Sequence, residues 1–195
     1  MNTNFLNSVA NFIKKRTFEL MGLILIFVGI ALSISFATYS PSDPSLVYGE
    51  KSMSIKNFFG IYGSIISDFL LQSFGLISFL LLITFISWGI NLVVHKELKR
   101  LTLKIFLVTL YLIFGCTFFF LKFNNSFWLI DNGNSGFVGK LIYNFLYQYF
   151  PIIDHKYSDL FLASVTILLF IIASGINLKT LLSSLFTVLK RNSSK

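Results

Sequence analysis

Cysteine, proline and charge are all scarce in this 195-residue chain, and each shortage removes a class of protein. One cysteine, Cys116, rules out an intrachain disulfide framework, and its place inside an apolar run leaves redox compartment unaddressed. Three prolines leave long stretches free of helix breakers, two of them (Pro41 and Pro44) sharing one short motif. Charged residues make up only 12% of the chain, too few to cover a soluble domain of this size. A phosphate-binding loop is missing as well. "GNSGFVGKLIYNFLYQ" (Gly133 to Gln148) brings glycines and a lysine together, but five residues separate Gly133 from Gly139 where four are needed, and Leu141 stands where a hydroxyl must hold Mg²⁺.

What the chain has in abundance is apolar surface. Hydrophobic residues reach 55%, phenylalanine alone numbers 24, and the mean hydropathy is +0.77. The solvent implied is a bilayer. Crossing ~30 Å of hydrocarbon takes about 20 helical residues, and four runs free of charge meet the requirement: 20–38, 69–94, 105–121 and 160–178. Their lack of charge is decisive, because one Lys or Asp at a helix centre costs about 2.5 to 3.5 kcal/mol. The fold class expected is an all-α polytopic membrane protein with four transmembrane helices. Residues 1–19 precede it as an amphipathic segment with Phe5, Val9, Phe12 and Ile13 in a stripe. Residues 179–195 follow as a basic tail with its own stripe of Leu181, Leu182, Leu185, Phe186 and Leu189. Cleavage as a signal peptide after "SFA" (Ser35 to Ala37) is not expected, since the first run is too long and three more follow.

Charge sets the expected orientation. Lys14, Lys15, Arg16 and Glu19 give +2 before the first run, and Asp43, Glu50, Lys51, Lys56 and Asp68 give −1 after it. Lys96, Glu97, Lys99, Arg100 and Lys104 give +3; the third connection is neutral; Lys179, Lys190, Arg191 and Lys195 give +4. Both termini should therefore be cytoplasmic. The net +8 is a topology signal spread over short flanking segments, suited to anionic headgroups and not to direct contact with nucleic acid. His95 and His155 then fall on opposite sides, which excludes a shared metal site. No catalytic residue, metal or cofactor is expected.

The glycines belong to an internal repeat. "GIYGSIISDFLLQ" (Gly60 to Gln72) aligns without gaps to "GFVGKLIYNFLYQ" (Gly136 to Gln148), with six of thirteen positions identical, and "GINL" recurs at Gly89 to Leu92 and Gly175 to Leu178. The chain reads as two tandem helical hairpins, each with an outer amphipathic helix lying in the interface. In the first such helix Ile55, Phe58, Phe59, Tyr62, Ile65, Ile66 and Phe69 form the apolar face, with Lys56, Asn57, Ser64, Ser67 and Asp68 opposite. In the second, Val138, Leu141, Ile142, Phe145 and Tyr149 do so. Gly60 with Gly63, and Gly136 with Gly139, permit a tight turn or backbone packing. Asn91 and Asn177 hold matching repeat positions and can either bond between helices or cap them. Gly29, Ser33 and Ala37 suggest a close-packing seam, Gly75 and Gly115 local irregularities, and Trp88, Trp128 and Tyr39 interfacial anchors.

"TYSPSDPS" (Thr38 to Ser45), followed by Asn57, Gly60, Gly63, Asp68, the Phe74-Gly75 pair and "SGFVGKL" (Ser135 to Leu141), resembles the N-terminal four-span membrane domain of the FtsK/SpoIIIE family of DNA translocases. The resemblance runs from about Phe18 to Gly175. It implies a membrane anchor and scaffold at the division septum of the bacterial inner membrane. Division-machinery membrane proteins would be the partners and a homo-oligomer the assembly, while a separate ATPase motor, whose motifs this chain lacks, moves DNA. It also singles out Tyr39, Ser40, Pro41, Ser42, Asp43 and Pro44 as either an exit turn that stops the first span or a partner-facing surface. A small transporter built from tandem repeats is the alternative, though no run carries the mid-membrane ionisable group such proteins use.

Overall fold

The computed structural model describes residues 3–45, 54–126, 128–129 and 131–177. They form α-helices α1 (Thr3–Ala37), α2 (Gly60–Phe74), α3 (Ser78–His95), α4 (Leu101–Phe123), α5 (Gly136–Tyr149) and α6 (Ser158–Ser174), with 3₁₀ turns at Gly75–Ile77 and Pro151–Asp154. The tail expected over 179–195, Leu178, and the first-loop charges Glu50 and Lys51 lie outside the described residues.

The bundle is built on two pairs of helices. α1 packs along α3 and α4 along α6, while α3 touches α6 and α2 meets α5 across one end. At that capped end lie α2, α5 and the turn after α1; at the opposite, basic end lie the α3–α4 connection and the close of α6. Ion pairs tie each long pair at one end: Lys96 Nζ to Glu19 Oε1 (2.8 Å) at the basic end, Lys122 Nζ to Asp159 Oδ2 (2.8 Å) at the capped end. Stretches 7–37, 60–95 and 101–123 are long and apolar enough to cross a membrane, and α6 is a shorter apolar helix of 17 residues. Large apolar side chains face outward along them, Phe27 at 72% exposure and Phe161 at 65%, as a bilayer-facing surface requires.

Four boundaries differ from the sequence reading. α1 starts at Thr3, so the amphipathic segment and the first span are one helix of 35 residues. The run at 69–94 is not one helix: residues 69–74 close α2, and the chain then breaks at Gly75 (φ +59°, ψ −144°), a conformation closed to other residues. α3 alone, at 18 residues and about 27 Å, is the length of a span. α6 stops at Ser174 because Gly175 (φ +67°) turns left-handed.

Close packing holds the pairs. α1 and α3 cross where Gly22 faces Gly89, a Cβ on Gly89 falling 2.7 Å from the Gly22 carbonyl oxygen, while Gly29 seats Ile86. The seam expected at Gly29, Ser33 and Ala37 is thus carried by Gly22 and Gly29, two turns apart on one face, and Ala37 is exposed. Gly115 of α4 admits Ile77 and Thr166 in the same way. Trp88 is no interfacial anchor: it is 8% exposed, and its indole N–H donates to the Ala173 carbonyl at 2.8 Å, beside Ser87 Oγ donating to that of Ser174. Thr84 and Tyr111 share a hydrogen bond between α3 and α4 at 3.0 Å.

Candidate functional site at the capped end

After α1 ends, prolines and short polar side chains cannot continue a helix, and the turn 38–45 folds back over the end of α1. Its central group is Asp43, 7% exposed. The carboxylate accepts the backbone N–H of Asn57 (2.8 Å) and, through both oxygens, that of Lys56 (3.1 Å). Its own N–H donates to the Ser40 carbonyl at 3.1 Å. Asp43 therefore acts as a clamp that holds the turn after α1 to positions thirteen and fourteen residues further along the sequence.

Asn57, 4% exposed, is the second hub. Its amide donates to the Ser35 carbonyl (2.9 Å), and its oxygen accepts the Phe59 N–H (3.1 Å). Ser35 in turn donates from its hydroxyl to the Gly63 carbonyl at 2.7 Å. Gly63 is required here because a Cβ would overlap the Asn57 side-chain oxygen. Ser64 Oγ donates to the Pro44 carbonyl (2.6 Å) and Ser67 Oγ to that of Gly63 (2.7 Å). Among the described residues every buried side-chain nitrogen and oxygen has a partner, as a knot this dry demands.

At the same end a second hydrogen-bonded chain leads from the residue after α1 to the other half of the molecule. Tyr39 OH donates to Asp68 Oδ1 (3.0 Å) and accepts from Gln72 Nε2 (3.2 Å), and Gln72 Oε1 accepts from Asn132 Nδ2 (3.0 Å). The Tyr39 ring meets Trp128 edge to face at 5.3 Å. Tyr39 is accordingly an internal link, 8% exposed, and not an interfacial anchor. Beside it the two repeats touch backbone to backbone: Leu76 N donates to the Asn134 carbonyl (2.9 Å), and Cβ atoms on Gly75 or Gly136 (φ +66°) would strike the other segment's main chain. Gly139 packs on the Cys116 carbonyl, and Gly60 takes φ +62° as α2 begins.

The outer helices turn their small and polar residues to the bundle and their bulky apolar residues away from it. Gly63, Ser64 and Ser67 of α2 are buried, whereas Tyr62 (77% exposed), Ile66 and Phe69 face outward. In α5 Gly136 and Gly139 are buried while Leu141, Phe145 and Tyr149 are exposed; Val138 packs inward. Glycines let both helices sit close to the bundle, with Ser64 and Ser67 added in α2, and the bulky apolar residues are left for lipid. Ile55, Phe58 and Phe59 precede α2 instead of belonging to it.

The structure thus gathers Asp43, Pro44, Asn57 and Gly63 in one knot and links Tyr39 with Asp68 in a second set of bonds at the same end. Ser40 contributes its carbonyl, and Pro41 and Ser42 are exposed at the tip. Asn91 and Asn177 lie apart from it, at the basic end, where Asn91 borders Gly175. Sequence reasoning missed Ser35, Gln72 as a bridge, and Asn132. Ser35 looks like an ordinary small residue in an apolar run, though Gln72 was visible as a repeated position. Among the described residues no three His, Cys, Asp or Glu side chains gather as metal ligands.

These features define an all-helical membrane protein whose polar groups at one end serve its own architecture. The chain belongs to the family of the 4TM region of DNA translocase FtsK/SpoIIIE, whose model matches residues 14–190. It is similar to proteins named DNA translocase FtsK from Azospirillum brasilense (32% identical over 90 residues, 46% of this chain and 14% of the relative) and Rickettsia typhi (32% over 127 residues, 65% and 16%). A third, from Bradyrhizobium diazoefficiens, is 29% identical over 135 residues, 69% of this chain and 16% of the relative. The chain spans 14% to 17% of the length of the curated relatives it matches. No solved structure matches.

Proposed function

We propose that this chain is the membrane anchor and scaffold of an FtsK-like DNA translocase. Four spans in two tandem hairpins cross the inner membrane, both termini are cytoplasmic, and the capped end faces outward at the division septum. There it meets membrane proteins of the division machinery and further copies of itself. It makes no contact with DNA; ATP hydrolysis and DNA movement are the work of other parts of such a translocase.

The observation that carries this reading is the commitment of polar chemistry to rigidity. Asp43, Asn57 and Tyr39 are consumed by internal bonds, and among the described residues the spans hold no buried ionisable pathway such as a transporter would use. The pairing of α1 with α3 and α4 with α6, together with the charge asymmetry, supports the topology.

The test is a C-terminal fluorescent fusion to residues 1–195 imaged in dividing cells. Mid-cell bands are the expected result. Uniform membrane fluorescence from an intact fusion would refute recruitment by this segment and reopen the transporter alternative.

A further inference from the structure

The basic end carries a cleft that the anchor role leaves unused. It is an open cleft of about 290 Å³ between the end of α3, the 96–100 connection, the first turn of α4 and the end of α6, lined by Asn91, His95, Glu97, Lys99, Lys104 and Gly175. Its carboxylate is already engaged, since Glu97 Oε1 pairs with Lys99 Nζ at 3.0 Å. The neighbouring acid, Glu19, is held by Lys96 and Arg16. Lys104 forms no ion pair among the described residues.

Two donors converge inside it. The position a Cβ would occupy on Gly175 lies 2.8 Å from Lys104 Nζ and 3.5 Å from Asn91 Nδ2, so an ammonium from α4 and an amide from α3 stand over the bare end of α6. A lysine at a helix C-terminus answers the dipole of α6. That attraction accounts for the ammonium alone, and leaves the open volume and the converging amide unexplained. An anion with several acceptor oxygens would complete both donors.

We propose that this cleft binds the phosphodiester headgroup of an anionic phospholipid. A phosphate group is the shared chemistry of a lipid and of free phosphate. The position of the cleft at the end of membrane-length helices, where a headgroup plane lies, favours the lipid. The proposal rests on the membrane reading of the chain and is independent of septal recruitment, because it is tested in vitro.

The experiment uses the purified chain in nanodiscs of phosphatidylcholine with or without phosphatidylglycerol, followed by native mass spectrometry of the released protein. The expected result is one retained phosphatidylglycerol per chain in preference to phosphatidylcholine. Losing one ammonium near the headgroup should weaken that preference roughly fivefold in Lys104→Gln. Lys104→Arg should keep it, and Lys140→Gln, on the capped end, should not affect it. Should Lys104→Gln fail to fold, Lys99→Gln on an exposed side chain serves instead, with a smaller loss expected. Equal retention of both lipids, or an unchanged preference in Lys104→Gln and Lys99→Gln, overturns the proposal. Displacement of the lipid by inorganic phosphate at equal concentration overturns the lipid assignment. Normal mid-cell bands beside absent lipid preference would sink this inference and spare the anchor reading, and the converse pattern would do the reverse.

Discussion

Asp43→Ala removes the clamp that holds Lys56 and Asn57 to the turn after α1 at the capped end. Two backbone N–H groups lose their acceptor, and they lose it unequally. Lys56 is exposed, so water replaces the carboxylate at its N–H for little cost. Asn57 is 4% exposed, and its N–H, bonded at 2.8 Å, is left stranded. An unsatisfied donor released from a charged acceptor costs about 2 to 3 kcal/mol. That corresponds to a roughly 30- to 140-fold larger open population of this turn. Hydrogen exchange at the Asn57 amide, measured by NMR or mass spectrometry in nanodiscs, reads that population directly. Asp43→Asn, which keeps one acceptor, should fall between wild type and alanine, and Ser42→Ala at the exposed tip should leave exchange unchanged. Asn57 exchange within about threefold of wild type in Asp43→Ala would show that the carboxylate does not hold the turn, and the network reasoning would fail with it.

The crossing of α1 and α3 gives a second prediction: Gly89→Ala places a methyl 2.7 Å from the Gly22 carbonyl oxygen and 2.6 Å from Ile26 Cγ1, so the helices must separate. A loss of about 1 to 3 kcal/mol is expected, read as a lower unfolding midpoint in detergent titration; an unchanged midpoint would mean the crossing is looser than described. Electrostatics gives a third. Hydrogen bonding from Lys122, and then from the Leu160 N–H, holds the Asp159 carboxyl below its ordinary 3.8. A depressed acid stabilises the fold above its unfolded value and loses that contribution as pH falls through the folded one, so the α4–α6 link weakens only under acid conditions below pH 3.8. An NMR titration of Asp159 should show its midpoint rising toward the ordinary value in Lys122→Gln, and no movement would remove the ion pair from the account.

The long apolar helices were legible because a long apolar run without charge is at home in few settings besides a bilayer. Their ends were less so. In the continuous run Phe69 to Val94 the sequence marks Gly75 as a local irregularity, but composition does not register the backbone dihedral that ends α2 there. The repeat located α2 and α5, but not what their polar faces meet: in α2 the hydroxyls of Ser64 and Ser67 donate to the Pro44 carbonyl and to the helix's own Gly63 carbonyl. The motif residues Asp43 and Asn57 were picked out by resemblance, and their mutual bond could not be seen, because it joins positions fourteen apart in the sequence with no periodicity to relate them. Ser35 escaped notice for the opposite reason, as a small residue in a span where small residues are ordinary.

The meeting of Gly75 with Gly136 carries a consequence for how such a protein can change. Main-chain atoms form the joint between the two halves there, through the Leu76 N–H and the Asn134 carbonyl, with the glycines bare on either side. A joint made of backbone is indifferent to side-chain drift everywhere except at its two bare positions. The outward faces of α2 and α5 can therefore be rewritten for a new lipid or a new neighbour while this joint between the halves is kept.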